Sequence, residues 1–314
     1  MPFSASRREL LIGGAATALS PVSAIESLAT AFAGKRTMRV AHMTDFHAQP
    51  ELNAPSGMRK SLQHMMALKP RPSLILGGGD LIMDSFAATE ERTALQWKIF
   101  SDILNAETKV PFRPTMGNHD VWGWNKNESK TTGNEAKWGD RWFCDQFGLT
   151  KPYYSFDMGR WHFVVLNNIL QTPDGYNGLV DPEQMEWLAT DLKGTKKPTL
   201  ILTHIPIMSI TPVVTGWNAQ TGDWKVGGNL MNKNADALRE LFKKNPHVKI
   251  ALSGHMHMVD RVDYLGVSYL CGGAVSGNWW RGDRLEFKPG YRVLDLADDG
   301  TFTSEYVAWG WKEA

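Results

Sequence analysis

The stretch RVAHMTDFH, residues 39–47, decides how this chain is read. Its first half is a short apolar run of the kind that forms a buried strand, and it ends on Asp45 and His47. Three further stretches repeat the arrangement. PSLILGGGD (72–80), PTLILTH (198–204) and VKIALSGH (248–255) each carry an apolar run into an Asp or a His. Sites in open α/β sheets gather beyond the carboxyl ends of strands, so these four endings predict one shared site. Glycines 79, 117 and 254 stand beside the polar residues, which fits tight turns and close backbone approach.

Helical patterns alternate with the strands. Residues 93–104 bring Leu95, Ile99, Phe100, Ile103 and Leu104 near one helical face; Pro182 opens a second helix, and residues 235–244 read as a third. Further strands are expected over 161–166, 267–271, 291–296 and 301–309. This mixture predicts an α/β protein with two mixed sheets rather than a single doubly wound one.

The side chains collected around these strand ends are Asp45, His47, Asp80, Asn118, His119, Asp120, His204, His255 and His257. Neutral imidazoles with carboxylate and amide oxygens suit zinc, manganese or iron, whereas all-oxygen sets suit calcium and magnesium. A carboxylate can bridge two cations ~3.5–4 Å apart, a spacing that clamps both oxygens of an in-line phosphoryl displacement. His42, His64, His162 and His247 lie outside the patterns and read as ordinary core or surface groups.

In order, Asp-x-His, Gly-Asp, Gly-Asn-His-Asp, a lone His and Gly-His-x-His resemble the calcineurin-like metallophosphoesterase family, over roughly Arg39 to Leu296. The resemblance implies a four-layer α/β/β/α sandwich of two mixed β-sheets flanked by helices. It implies a dinuclear site with Asp45, His47 and His257 on one metal, Asn118, His204 and His255 on the other, and Asp80 bridging. His119 would then sit near the leaving group, protonating the departing alkoxide or stabilising phosphoryl charge. Asp120 would orient that ring; a plain turn residue is the alternative. The attacking group would be a metal-bound hydroxide. Met83 stands where purple acid phosphatases carry a tyrosine three residues after the bridging Asp, so a purple ferric centre is not expected. The metal pair stays open among iron, manganese and zinc.

The amino terminus carries a second signal. SRRELL, residues 6–11, matches a twin-arginine export pattern, an apolar stretch continues to Leu19, and Ala31-Phe32-Ala33 offers a cleavage site. Residues 1–33 are therefore expected to be a removable signal, and 34–314 a single domain. An ordinary amphipathic amino-terminal helix is the plain alternative. Ser20, Pro21, Ser23 and Glu26 interrupt the apolar run, so no spanning anchor is expected. Export by the twin-arginine machinery would deliver a folded, metal-loaded protein to the periplasm or outside.

Composition agrees. The 314 residues are 42% hydrophobic, enough for one large core, and a net charge of +1 leaves no broad basic footprint for nucleic acid. Cys144 and Cys271 read as buried free thiols, with a bridge left open. Aromatic-rich segments 121–142 and 211–232 are expected to overhang the metals, and Trp279, Trp280 and Arg281 to join them, although most of the 13 tryptophans should pack. The predicted function is hydrolysis of phosphoric esters. A phosphodiester is favoured because the arrangement is similar to secreted cyclic-nucleotide-phosphodiesterase-like members. A phosphomonoesterase is the alternative, and a metal-binding scaffold without turnover the third reading.

Overall fold

The computed structural model describes residues 34–173 and 175–311; the expected export signal lies outside them. Two sheets carry the chain. The first contains β1 (Arg36–Met43), β2 (Leu74–Gly77), β3 (Phe112–Pro114), β14 (Gly290–Ala297) and β15 (Phe302–Ala308), in the order β15-β14-β1-β2-β3. The second contains β4 (Tyr154–Met158), β5 (Trp161–Val165), β8 (Thr199–Leu202), β11 (Val248–Ser253), β12 (Val259–Tyr264) and β13 (Val267–Gly272), in the order β12-β13-β11-β8-β5-β4. Both are mixed: β1, β2, β3 and β15 share one direction while β14 opposes them. Likewise β5, β8, β11 and β13 run parallel between antiparallel edges β4 and β12. Two short hairpins, β6 (Ile169–Thr172) with β7 (Gly175–Gly178) and β9 (Trp217–Asn218) with β10 (Asp223–Trp224), stand apart.

Successive side chains of a strand point to opposite faces, and this alternation builds the layers. Val40, Leu74, Leu76, Leu294 and Leu296 of the first sheet meet Phe163, Val165, Leu200, Leu202, Ile250 and Leu252 of the second in one dry core. The intervening residues face outward. Ala41, Met43 and Ile75 pack under α1 (Ala54–Ala67) and α2 (Glu90–Glu107), through Met58, Leu62, Trp97 and Phe100. Val164, Ile201 and Ala251 pack under α5 (Pro182–Gly194) and α7 (Ala235–Lys244), through Leu188, Leu192, Leu238 and Phe242. The result is the α/β/β/α sandwich.

Local chemistry sets the helix starts. The Thr89 hydroxyl accepts from Arg92 N, and the Asp181 carboxylate from Gln184 N with Pro182 following. Short helices α3 (Lys126–Ser129), α4 (Arg141–Phe147) and α6 (Thr211–Thr215) lie in the connections. Among the described residues, no helix is long and apolar enough to cross a membrane. Cys144 and Cys271 are buried free thiols.

Candidate metal centre

The four strands whose ends were read as ligand positions, and the short β3, deliver their side chains to the same pole. β1 runs into Asp45 and His47, β2 into Asp80, β3 into Asn118, β8 into His204, and β11 into His255 and His257. Backbone bonds lace these turns together: Asp45 N donates to Gly79 O and His47 N to Asp80 O, both at 3.0 Å. Two glycines admit the close approach. A Cβ on Gly254 would overlap the Thr44 hydroxyl and the Asp45 carboxylate, and one on Gly117 would overlap Asp80.

The candidate ligand atoms form three overlapping groups: two are built from the assigned ligands, and a third joins His119 to His47 and Asp80. Asp45, His47 and His257 converge in one, with His257 Nε2 at 3.2 Å from Asp45 Oδ1. Asp80, His204 and His255 converge in the other, with His204 Nε2 at 3.2 Å from Asp80 Oδ2 and 3.2 Å from Asn118 Oδ1. Asp80 Oδ2 also lies 3.7 Å from His47 Nε2, so its carboxylate stands between the groups. Asp45, His47 and His204 are fully buried, and Asp80 and His257 nearly so.

The tautomers test whether a cation fits. A carbonyl can only accept, so His204 donates Nδ1–H to Gly78 O, His257 Nδ1–H to Gly277 O, and His255 Nε2–H to Asn229 O. In the neutral rings the remaining nitrogens are bare lone pairs. Those of His204 and His257 then face Asn118 Oδ1, Asp80 Oδ2, Asp45 Oδ1 and, at 3.0 Å, His47 Nε2. Lone pairs gathered this closely in a buried place repel unless a proton or a cation lies among them. The donor set therefore fits two borderline divalent or trivalent ions, and the carbonyl partners are the usual orienting groups of ligating histidines.

Electrostatics agree with this. Burial pushes His255 down to about 4, and holds His47 well below the ordinary value, so both rings are neutral at pH 7. Burial raises the Asp80 carboxyl, but His204 and His119 outweigh it and hold it well below the usual carboxylate range. His204 is driven down by burial and up by Asp80, ending at about 9, so without a cation it carries a proton on Nε2 toward Asp80, in the place an ion would take.

His119 flanks the cluster, half-buried, with Nε2 3.9 Å from Asp80 Oδ2 and its ring edge-on to His47 at 4.8 Å. The expected support from Asp120 is not there. Asp120 turns away: its Oδ1 accepts from Leu81 N at 2.8 Å and Ile82 N at 3.2 Å, and its Oδ2 from Gly117 N at 2.8 Å. His119 Nδ1 has no partner among the described residues. The correction follows from the 3-10 turn Asn118–Asp120, which sends consecutive side chains in different directions.

Sequence reasoning did not single out Tyr176 or Asn229. The Tyr176 ring lies 6.3 Å from that of His255, and Asn229 acts through its carbonyl, which no side-chain motif reveals. The aromatic segments divide. Trp279 joins the site, 4.3 Å from the His257 ring, whereas Trp280 is buried core and Arg281 is exposed. Trp217 and Trp224 are more than half exposed and pack on each other at 4.6 Å. Trp124 meets Phe86, which in turn meets Tyr176. Of the histidines set aside, His42 is buried behind the site and pushed by burial down to about 3, and His162 lies between Asp157 and Asp191 at 2.8 Å from each.

Comparison with known proteins places this geometry. A 3',5'-cyclic-nucleotide phosphodiesterase of a Nostoc species is 29% identical over 164 residues, spanning 50% of this chain and 56% of that protein. A 3',5'-cyclic adenosine monophosphate phosphodiesterase of Escherichia coli is 25% identical, over 90% of this chain and 94% of its own. A dimetal phosphatase from Danio rerio superposes with a TM-score of 0.61 at 13% identity, covering 88% of this chain and 98% of that one, which shows a shared fold. The model of the calcineurin-like phosphoesterase family matches residues 38–259, from the start of β1 through the last histidine pair, and the chain belongs to that family.

Proposed function

We propose that this metallophosphoesterase hydrolyses phosphodiesters, with Asp45, His47 and His257 holding one ion, Asn118, His204 and His255 a second, and Asp80 shared. The observation that carries the reading is the pair of converging lone-pair clusters joined by one carboxylate. Bound ions would supply Lewis acidity toward the phosphoryl oxygens and activate water. The chain's own contribution is positional. The carbonyls of Gly78, Asn229 and Gly277 fix three imidazoles, and the buried carboxylates hold negative charge where cations must gather.

His119 is the proton donor to the departing alkoxide in this proposal. Its ring borders both clusters without belonging to the assigned ligand set, and it is partly open to solvent. The diester preference is supported by the names of the relatives, which act on cyclic nucleotides. The donor set suits iron, manganese or zinc. Residues 6–11 and 31–33 support twin-arginine export to the periplasm or beyond.

The test is hydrolysis of matched aryl phosphate mono- and diesters by protein lacking residues 1–33, with manganese, zinc or iron, beside Asp80→Ala. Diester turnover abolished in Asp80→Ala is expected. Preference for the monoester would replace the proposal with a phosphatase, and metal binding without turnover of either would sink it in favour of a scaffold. A secretion assay with Arg7→Lys and Arg8→Lys checks export, which should stop.

A further inference from the structure

Beyond the ligands, the turn after β13 is built in an unusual backbone. Gly277, Trp279, Trp280 and Gly282 have φ of 58°, 51°, 70° and 87°. A left-handed backbone is costly for residues with a Cβ, and two tryptophans in succession adopt it here. Trp280 supplies the anchorage: it is fully buried against Gly57, and its indole N–H donates to His47 O at 3.0 Å. That anchorage leaves Trp279 half-exposed at the mouth, 4.3 Å from the His257 ring and 5.8 Å from that of His47.

Over the Trp279 ring lies the guanidinium of Arg284, 5.7 Å from its centroid. The backbone of Arg284 is tied to Phe287 by reciprocal bonds of 2.9 and 3.0 Å, and Phe287 packs on the cluster containing Met256, between the two ligand histidines. Arg284 is thus held beside the site by two routes. Yet its Nε is buried without a partner among the described residues. The buried Nε is closed to a ligand, but Arg284 is half-exposed, and its terminal nitrogens, held over an aromatic face, are equipped to grip acceptor oxygens or nitrogens.

We propose that Trp279 and Arg284 form a recognition arm for the organic substituent of the ester, selecting substituents that carry oxygen or nitrogen acceptors, such as a sugar or a heterocyclic base, over plain aryl groups. The inference rests on the phosphodiester reading. Trp279 supplies a flat wall beside the first ligand group, and Arg284 the donors.

The experiment compares 3',5'-cyclic AMP with bis(4-nitrophenyl) phosphate in manganese-loaded wild type, Arg284→Ala, Arg284→Lys and the exposed-site control Arg281→Ala, with folding checked by circular dichroism. Arg284→Ala should raise KM for cyclic AMP roughly tenfold, the worth of a charge-assisted hydrogen bond, with a smaller rise for the aryl diester and little change in kcat. Arg284→Lys should recover only part, since an ammonium lacks the fork. Equal rises for both substrates, or none, would overturn the arm. Should wild type turn over neither diester, the phosphodiester reading falls on its own. The arm is then judged by calorimetric binding of adenosine 5'-monophosphate: a roughly tenfold loss in Arg284→Ala upholds it, and equal or absent binding in wild type and variant overturns it.

Discussion

Asp120 offers the sharpest test of the reasoning, because its sequence position and its contacts point to different roles. Its carboxylate is fully buried and accepts three backbone amides, those of Leu81, Ile82 and Gly117. Burial and the nearby Asp80 charge push its carboxyl up to about 8, against the pull of those amides. Asp120→Asn keeps one oxygen for Leu81 and Ile82 but turns an NH₂ toward the Gly117 amide. A buried donor left unmet costs about 1–3 kcal/mol. Asp120→Ala strands all three amides, adding a further ~2–6 kcal/mol. Both variants are uncharged, as is the acid itself below a pH of about 8, so their difference reports the two bonds to Leu81 and Ile82 together with the space left by the shorter side chain.

The assay is urea unfolding followed by circular dichroism, read as shifts in midpoint at constant slope. Stability should fall in the order wild type, Asn, Ala. Since Leu81 and Ile82 directly follow Asp80, metal content should fall with the Ala variant as well. The reasoning is refuted if both variants match wild-type stability and instead displace the pH–rate profile, for that would return Asp120 to the role of partner of the His119 ring.

Other outcomes follow from the same geometry. Asp80→Ala should lower metal content and turnover together, whereas His119→Ala should keep its metals and lose about 10²–10⁴-fold in rate on poor leaving groups; metal analysis with kinetics separates them. In Gly254→Ala the new methyl group collides with Thr44 and Asp45, so metal uptake should fall although no ligand is removed, and normal occupancy would count against the packing argument. Burial lowers the His162 ring, but Asp191 and Asp157 outweigh it and raise its pKa above the ordinary value. A raised folded pKa gives stability that is full below ~6.5, the unfolded value, and is lost as pH rises through the folded one. Melting temperature should therefore decline over that window in wild type and less so in His162→Gln, and parallel curves would argue against the clasp.

How far the sequence could be read depended on which atoms do the work. The positions that converge at the pole were legible because most sit just past a four- to eight-residue strand, Asn118 being marked instead by its Gly-Asn-His-Asp pattern, and the helix over 235–244 coincides with α7. The layering was not legible from periodicity. Val40 enters the inner core and Ala41 the outer one, yet both are apolar, because a parallel strand buried on both faces shows no alternation. Adjacency misled at Asp120, where one residue of separation suggested contact with His119. Asn229 contributes a carbonyl that every residue type possesses, and Tyr176 sits in a short hairpin with no pattern around it.

Five of the proposed ligands, Asp45, His47, Asp80, His255 and His257, have φ between 45° and 69°. For residues with a Cβ this conformation costs roughly 1–2 kcal/mol at each position. No short peptide copied from these loops would hold such a shape; the two sheets impose it. The same feature sets a direction for mutational drift. Exchanging one of these residues for glycine relaxes the backbone while removing the donor, so such a variant should be sturdier without cations than the native chain.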